Sequence, residues 1–362
     1  MKPSAANIDR IAQQFGADAA AWAFSQWLLR KRARAKFAKA DAMLFTREGL
    51  EQSTHETVAA YHASRYPKGE VVADLTCGIG ADLIALASRG PAIGFDTDAE
   101  TARCAAHNLK VHGLAGNVTN CDAMAFDWKF DYAFADPSRR IGSTRSVDPT
   151  TFSPSPNDLA SRLSKLRFAG MKLSPMLRDD YLADMSEEIE FISFAGECRE
   201  ALAWFGEGTT AGVYARRIES GERLKRADSQ THSSTDVPLE YLFEADPAAI
   251  RAHCLGALCE ELNAVELGDS NGYLTGSKQF ESSWARTYRI LEHGSFDEKR
   301  VRTILKKMGG GVPIIKSRAP GVDGASLSKH LVSKGTKATT VALYAIGKST
   351  RFLIVENVLQ SK

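Results

Sequence analysis

No apolar stretch in this chain approaches the roughly 18–20 residues that a membrane-spanning helix needs, which argues against a bundle of membrane helices. The opening residues, MKPSAANIDRIAQQFGADAAAWAF, lack an uninterrupted hydrophobic run and carry acids early, so they do not read as a secretory signal. The six cysteines (77, 104, 121, 198, 254 and 259) form no C-x-x-C pair and no zinc spacing with histidine. They read as reduced, mostly buried thiols of a cytoplasmic protein without a metal site. Acids are scarce in one region. From Lys299 to Arg351 twelve Lys or Arg face Asp323 alone, a local charge of +11 in a chain whose net charge is +2. Charge segregated in this way predicts a module that faces nucleic acid. The rest of the composition is ordinary: 362 residues, 44% apolar and 25% charged, suffice for two or three domains with real cores.

The most informative stretch is VVADLTCGIGADLIALASRG, residues 71–90. Val71 to Leu75 form an apolar run broken only by Asp74, and the glycine-bearing turn TCGIG follows from Thr76 to Gly80. Leu83, Ile84, Leu86 and Ala87 then recur at helical spacing up to Arg89-Gly90. The pattern predicts strand, tight turn and helix, the opening of a βαβ unit. Gly78 and Gly80 would let the backbone approach a bulky ligand, at a helix start whose N–H groups point at it. Asp74, at the carboxyl end of the strand, would repel a pyrophosphate and attract a cation. The turn also lacks the third glycine of a dinucleotide site and the Gly-Lys-Ser/Thr of an ATP site. The next strand ends in Asp96 and Asp98, where an acid can bond ribose hydroxyls. A third strand over Asn117–Thr119 ends near Asp122, where a carboxylate can accept from an exocyclic amine. Three acids at successive strand ends suit a cationic adenosine ligand, S-adenosylmethionine.

Asp74-Leu-Thr-Cys-Gly-Ile-Gly80, Gly94-Phe-Asp-Thr-Asp98, Asn120-Cys-Asp122 and Ala135-Asp-Pro-Ser138 follow one another over about 65 residues. They resemble motifs I to IV of the class I S-adenosylmethionine-dependent methyltransferases. The resemblance implies a Rossmann-like α/β fold with a seven-stranded mixed sheet. It also implies that Asp74, Thr76, Cys77, Gly78 and Gly80 flank the methionine end of the cofactor, that Asp96 holds the ribose and that Asp122 holds the adenine amine. Cys77 is not expected to be a nucleophile, and no cysteine stands in ADPSRR, where carbon methyltransferases commonly carry one.

Four regions are expected along the chain. Residues 1–65 read as helical, with the basic run Arg30 to Lys39 as a solvated helix face or a phosphate contact. A helix capped near Ser53 or Thr54 is expected within 47–64, with Gln52, Ser53 and Thr54 as candidate lid residues over the cofactor. Residues 66–220 read as the methyltransferase domain. Within it, 189–205 and the following TTAGVYARRI are expected to supply the last two strands, and Glu197-Cys-Arg-Glu200 to form a polar turn or a functional group. Residues 221–238 read as a linker or exposed hairpin, and 239–362 as a small C-terminal α/β module. There the run from Asp246 to Ala264 reads as one helix capped by Asp246, followed by a βαβαββ order. That order, with the basic Gly309-Gly-Gly311 turn and LSKHLVSKGTK, resembles the THUMP-like domain attached to a bacterial subgroup of these enzymes, and implies RNA as partner.

Methyltransferases that act on amines often carry Asp/Asn-Pro-Pro-aromatic after the fourth strand. The side chain and the first Pro carbonyl accept hydrogen bonds from the target NH₂ and so aim its lone pair at the methyl group. Asp136 and Pro137 fit this role as catalytic residues, whereas Ser138 and Arg139 replace the second Pro and the aromatic. Ser138, Arg139 and Arg140, with Lys306, Lys307, Lys316 and Arg318 from the basic module, are the candidate substrate contacts. The reading is an RNA methyltransferase with a nitrogen acceptor. The alternatives are an RNA-binding factor with a non-catalytic cofactor pocket, and a methyltransferase of proteins or small molecules.

Overall fold

A computed structural model describes residues 4–138, 140–141, 144–145, 148–227, 233–269 and 272–358. The chain divides into two compact units, 1–189 with 200–211, and 190–199 with 212–362.

The first unit opens with helices α1 (Ala5–Phe15), α2 (Ala17–Ala33), α3 (Arg47–Gln52) and α4 (Glu56–Ser64). The segment expected to lead into the helix within 47–64 is itself a short helix, α3. Thr46 caps α3, and His55, rather than Ser53 or Thr54, caps α4 by accepting from Thr57 N–H. The basic run is largely spent on structure. Arg30 donates to Met43 O at 2.8 Å, Lys36 to Leu50 O and Ser53 O at 2.8 and 2.7 Å, and Arg34 pairs with Asp41. These bonds close carbonyls that a coil between helices leaves open. Phe37, Met43, Phe45 and Leu50 then bury their side chains against Ile79 and Ala81, so the N-terminal helices share a core with the glycine turn.

After α4 the chain alternates: β1 (Val72–Asp74), α5 (Ala81–Ala87), β2 (Ala92–Asp96), α6 (Ala99–His112), β3 (Gly116–Asn120) and β4 (Tyr132–Ala135). There follow α7 (Pro156–Leu163), β5 (Phe168–Leu173), α8 (Asp179–Met185), β6 (Glu188–Phe194) and β7 (Glu197–Gly206). Residues 189–205, expected as one strand, fold back on themselves because Ala195 and Gly196 both take positive φ, 54° and 74°, as a two-residue hairpin turn requires. In the first unit, with the opening residues of β6 counted, the strand order is β3-β2-β1-β4-β5-β7-β6. β1 to β5 run parallel to one another and β7 is antiparallel to β5. Val72, Ala73, Ala133, Phe134, Ala169 and Met171 are almost wholly buried, as in a parallel sheet covered on both faces. The carboxyl ends of β1, β2 and β4 carry Asp74, Asp96 and, one residue on, Asp136.

In the second unit β8 (Gly212–Arg217) pairs antiparallel with β9 (Arg223–Lys225), which gives regular structure to the start of the polar 221–238 segment. Then come β10 (Ser234–Thr235), β11 (Tyr241–Ala245), α9 (Pro247–Arg251), α10 (Leu255–Leu262), β12 (Val265–Leu267), β13 (Tyr273–Gly276) and β14 (Ala285–Ser295). The helix expected from Asp246 to Ala264 is thus two, broken where His253 turns left-handed at φ 56°. The rest is α11 (Glu298–Lys307), β15 (Ile314–Ser317), α12 (Gly324–His330), β16 (Thr340–Ile346) and β17 (Ser349–Asn357). From β14 onward this is the expected βαβαββ order. The sheet is larger than expected, running β10-β12-β13-β11-β14-β17-β16-β15 among the described residues. Its two faces read directly from the sequence. Val341, Leu343, Phe352 and Ile354 pack with Val301 and Leu305 of α11 and Leu327 of α12. The alternate residues Ala342, Tyr344, Leu353 and Val355 pack with Leu242, Leu267 and Tyr273. The triple glycine packs closely against Gly335: a Cβ on Gly311 would sit 2.8 Å from Gly335 O, and one on Gly335 2.0 Å from Gly309 O.

Candidate active site

A cleft of about 420 Å³ lies at the carboxyl ends of β1, β2 and β4 in the first unit. Of the residues singled out from sequence, Asp74, Thr76, Cys77, Gly78, Asp96, Asp122, Asp136 and Ser138 line it, together with Gln52, Ser53 and Thr54. Gly78, with φ 54°, has only open space where a Cβ would stand. Gly80 is different. It caps α5 at φ 91°, and a Cβ there would lie 3.3 Å from Ala105 of α6, so it serves helix packing rather than the cleft. Pro137 is buried and does not line the cleft either.

The acids do different things. Asp96 accepts from Gly78 N–H at 3.0 Å and Asp98 N–H at 2.8 Å, so it ties the glycine turn to β2. Asp122 caps the short turn Ala123–Ala125 through Met124 N–H at 2.8 Å. Asp74 is 1% exposed, and its Oδ2 has no hydrogen-bond partner among the described residues. Burial, and after it the charge of Asp82, pushes the Asp74 carboxyl well above the carboxylate range. The negative charge expected of Asp74 is therefore held in check until a cation stands beside it. Burial likewise raises the Cys77 thiol, which leaves it unsuited to nucleophilic attack. Thr76 Oγ1 accepts from Asp136 N–H at 2.6 Å and so fastens the two strand ends together.

Similarity to known proteins extends over the whole chain. No protein-family model matches it. Two Mycobacterium tuberculosis proteins, from strains CDC 1551 and H37Rv, are named uncharacterized S-adenosylmethionine-dependent methyltransferases. Each is 28% identical over 346 residues, 92% of this chain and 95% of its own length. A crystal structure of a candidate methyltransferase from Porphyromonas gingivalis W83 superposes with a TM-score of 0.73 at 21% identity. It covers 99% of this chain and 100% of that one. The chain has the class I methyltransferase fold. In an open α/β sheet of this kind ligands bind outside the carboxyl ends of the strands, which is where the cleft lies.

Beneath the cleft is a buried ionic network that the sequence did not announce. His62 of α4 is 1% exposed, with Nδ1 at 2.7 Å from Asp82 Oδ1 and Nε2 at 2.5 Å from Glu200 Oε1. Thr54 donates to Asp82 Oδ2 at 2.7 Å and accepts from Lys172 Nζ at 3.2 Å, and Lys172 also bonds Asp136 Oδ2. Burial alone would lower the His62 pKa, but Glu200 and Asp82 overcome it and lift the imidazole to about 10. His62 is thus a buried imidazolium. Burial would raise Asp82, yet His62 and Lys172 hold it below the usual carboxylate range. Burial also works against charged Lys172, but Asp136, Glu200 and Asp82 keep it protonated. Burial lifts the Asp136 carboxyl against the pull of Lys172. Three residues missed from sequence, His62, Asp82 and Lys172, come from separate segments and meet Glu200 here. The one legible sign was the Glu197–Glu200 stretch, which proves to be the start of β7 and supplies Glu200 alone.

The basic candidates lie elsewhere. Lys306 and Lys307 are exposed on α11. Lys316 and Arg318 line a different cleft of about 570 Å³ within the second unit. Lys316 is not a free cation there, because it donates to Glu244 Oε2 at 2.7 Å. Arg139 lies outside the described residues, as does the side chain of Arg140.

Proposed function

We propose that the protein is an S-adenosylmethionine-dependent methyltransferase that acts on RNA at a nitrogen. The observation that carries the cofactor assignment is the orphaned Oδ2 of Asp74, a buried carboxylate oxygen facing an open cleft and lacking a cation. A sulfonium answers that deficit, and a pyrophosphate would aggravate it. The two Mycobacterium tuberculosis proteins similar over nearly the whole chain carry names that support the same reading.

On this reading Asp74 and the turn at Thr76, Cys77 and Gly78 hold the sulfonium end, Asp96 the ribose and Asp122 the adenine amine. S-adenosylmethionine, when bound, would supply a methyl group activated by the sulfonium it is attached to, with the neutral thioether S-adenosylhomocysteine as leaving group. The protein's task is mainly positioning. Asp136 accepts an N–H of the acceptor amine and eases the departure of its proton, while Lys172 grips Oδ2 and leaves the other oxygen available. Ser138 flanks the entrance. The lysines and arginines between 299 and 351 support RNA over a small molecule, and a module resembling THUMP domains accords with that.

The experiment is methyl transfer from labelled S-adenosylmethionine to RNA from cells lacking this protein, with wild-type RNA as control. Label enters only the former. Asp136→Ala lowers turnover by about 10²–10⁴-fold while S-adenosylmethionine affinity stays unchanged. Loss of cofactor binding in that variant refutes the role of Asp136. No label in any RNA, with cofactor bound, refutes the RNA acceptor.

A further inference from the structure

The second cleft, of about 570 Å³ and built wholly from second-unit residues, is lined by four cations: Arg217, Arg286, Lys316 and Arg318. The three acids in its wall are already engaged. Glu244 accepts from Lys316 at 2.7 Å. Asp246 accepts from Ser193 Oγ at 2.6 Å and from Ala248 N–H at 2.8 Å, and lies 3.7 Å from Arg217. Glu219 accepts from Ala195 N–H and lies 3.8 Å from Arg217. Arg217 also donates to Ser283 O. Two guanidiniums are left over. Neither Arg286 nor Arg318 has an acid or a hydrogen-bond acceptor for its side chain among the described residues.

Each has a close neighbour in the second unit. Arg318 lies with its Cζ 5.7 Å from the centre of the buried Tyr273 ring, within cation–π range. Arg286 lies against the hairpin turn at Gly196, where a Cβ would come within 3.2 Å of Nη2. A larger residue at the hairpin tip would therefore crowd the guanidinium. Two guanidiniums without an ion-pair partner among the described residues, in one concavity, form a site for an oxyanion, which each fork can bind through two parallel hydrogen bonds.

We propose that this cleft binds a backbone phosphate of RNA, with Arg286 and Arg318 as its donors. The phosphate chemistry stands on the cleft alone. The choice of RNA rests on the acceptor reading above and on the position of Arg318 within the strongly basic 299–351 segment. The cleft is a binding site and takes no part in the chemical step.

The test is binding of fluorescein-labelled single-stranded RNA to the full chain between 50 and 200 mM salt, for the wild type and the Arg286→Gln/Arg318→Gln variant. Loss of that one phosphate contact lowers the slope of log K against log salt by about 0.7, and the variant binds at least tenfold more weakly at the low-salt end. Arg286→Lys/Arg318→Lys, which keeps the charge, retains most of the slope. Circular dichroism melting of each variant checks that the second unit is folded. An unchanged slope and affinity in the folded glutamine variant overturns the proposal. If instead RNA binding is unchanged while calorimetric binding of inorganic phosphate or a mononucleotide is lost, the site serves a small free phosphate and the RNA assignment falls. RNA binding needs no methyl transfer, so the cleft can stand even if the acceptor reading fails, and the reverse.

Discussion

The two clefts of this protein handle charge in opposite ways. In the first unit His62 and Lys172 are set among Asp82, Asp136 and Glu200, nearly all withdrawn from water, and each charge has a partner at bonding distance. In the second unit Arg286 is exposed and Arg318 half-exposed, and neither forms an ion pair with an acid among the described residues. Low dielectric makes the first arrangement stiff and intolerant of losing a member. Solvent makes the second cheap to maintain and open to exchange of its counterion. A site that orients one reacting atom suits the first solution, and a site that captures a repeating phosphate suits the second.

The largest break in this contrast comes from His62→Gln. It leaves Asp82 and Glu200 buried without their shared cation, and unfolding stability falls by about 3–5 kcal/mol in denaturant titrations. The wild type adds a pH signature. His62 has a folded pKa raised from 6.5 to about 10, so its contribution is complete below the lower value and is lost as pH rises through the higher one. The variant is flatter over that window; parallel pH profiles would show that the imidazolium is not what holds the network.

A smaller effect is expected at the mouth of the cleft. Asp96→Ala removes an acceptor of charged hydrogen bonds worth about 1.5–3 kcal/mol, which corresponds to roughly a 10- to 100-fold weaker Kd for S-adenosylmethionine by calorimetry. Unchanged affinity would confine Asp96 to its bonds with Gly78 and Asp98. The mildest comparison needs no mutation. Raising salt from 50 to 200 mM lowers the RNA affinity by about sevenfold for every two phosphate contacts. Cofactor affinity, set by buried groups, moves less than about twofold. Equal salt responses at both ligands would erase the distinction between the clefts.

Much of the first site was legible because its chemistry is local. A strand, a glycine turn and a helix lie within residues 71–90, and the acids at Asp74, Asp96 and Asp122 follow three successive strands, so short-range periodicity is enough to find them. The errors arose where short-range pattern is ambiguous. Residues 189–205 read as one apolar strand because only the Ala195-Gly196 pair marks the reversal. Asp246 to Ala264 read as one helix because the apolar spacing continues past His253.

By itself the sequence determined the strand and helix alternation from Val72 to Ala135, the acids at its strand ends and the accumulation of positive charge between 299 and 351. Hydrophobic period and turn chemistry act over a few residues. Only the tertiary structure decided which charges have partners. Glu200 reaches His62 across 138 positions and Glu244 reaches Lys316 across 72. Such pairings set which carboxylates are held ionised, which lysine is already used and which arginines have no ion-pair partner among the described residues. They depend on burial and distance in the folded chain, and no spacing along it encodes them.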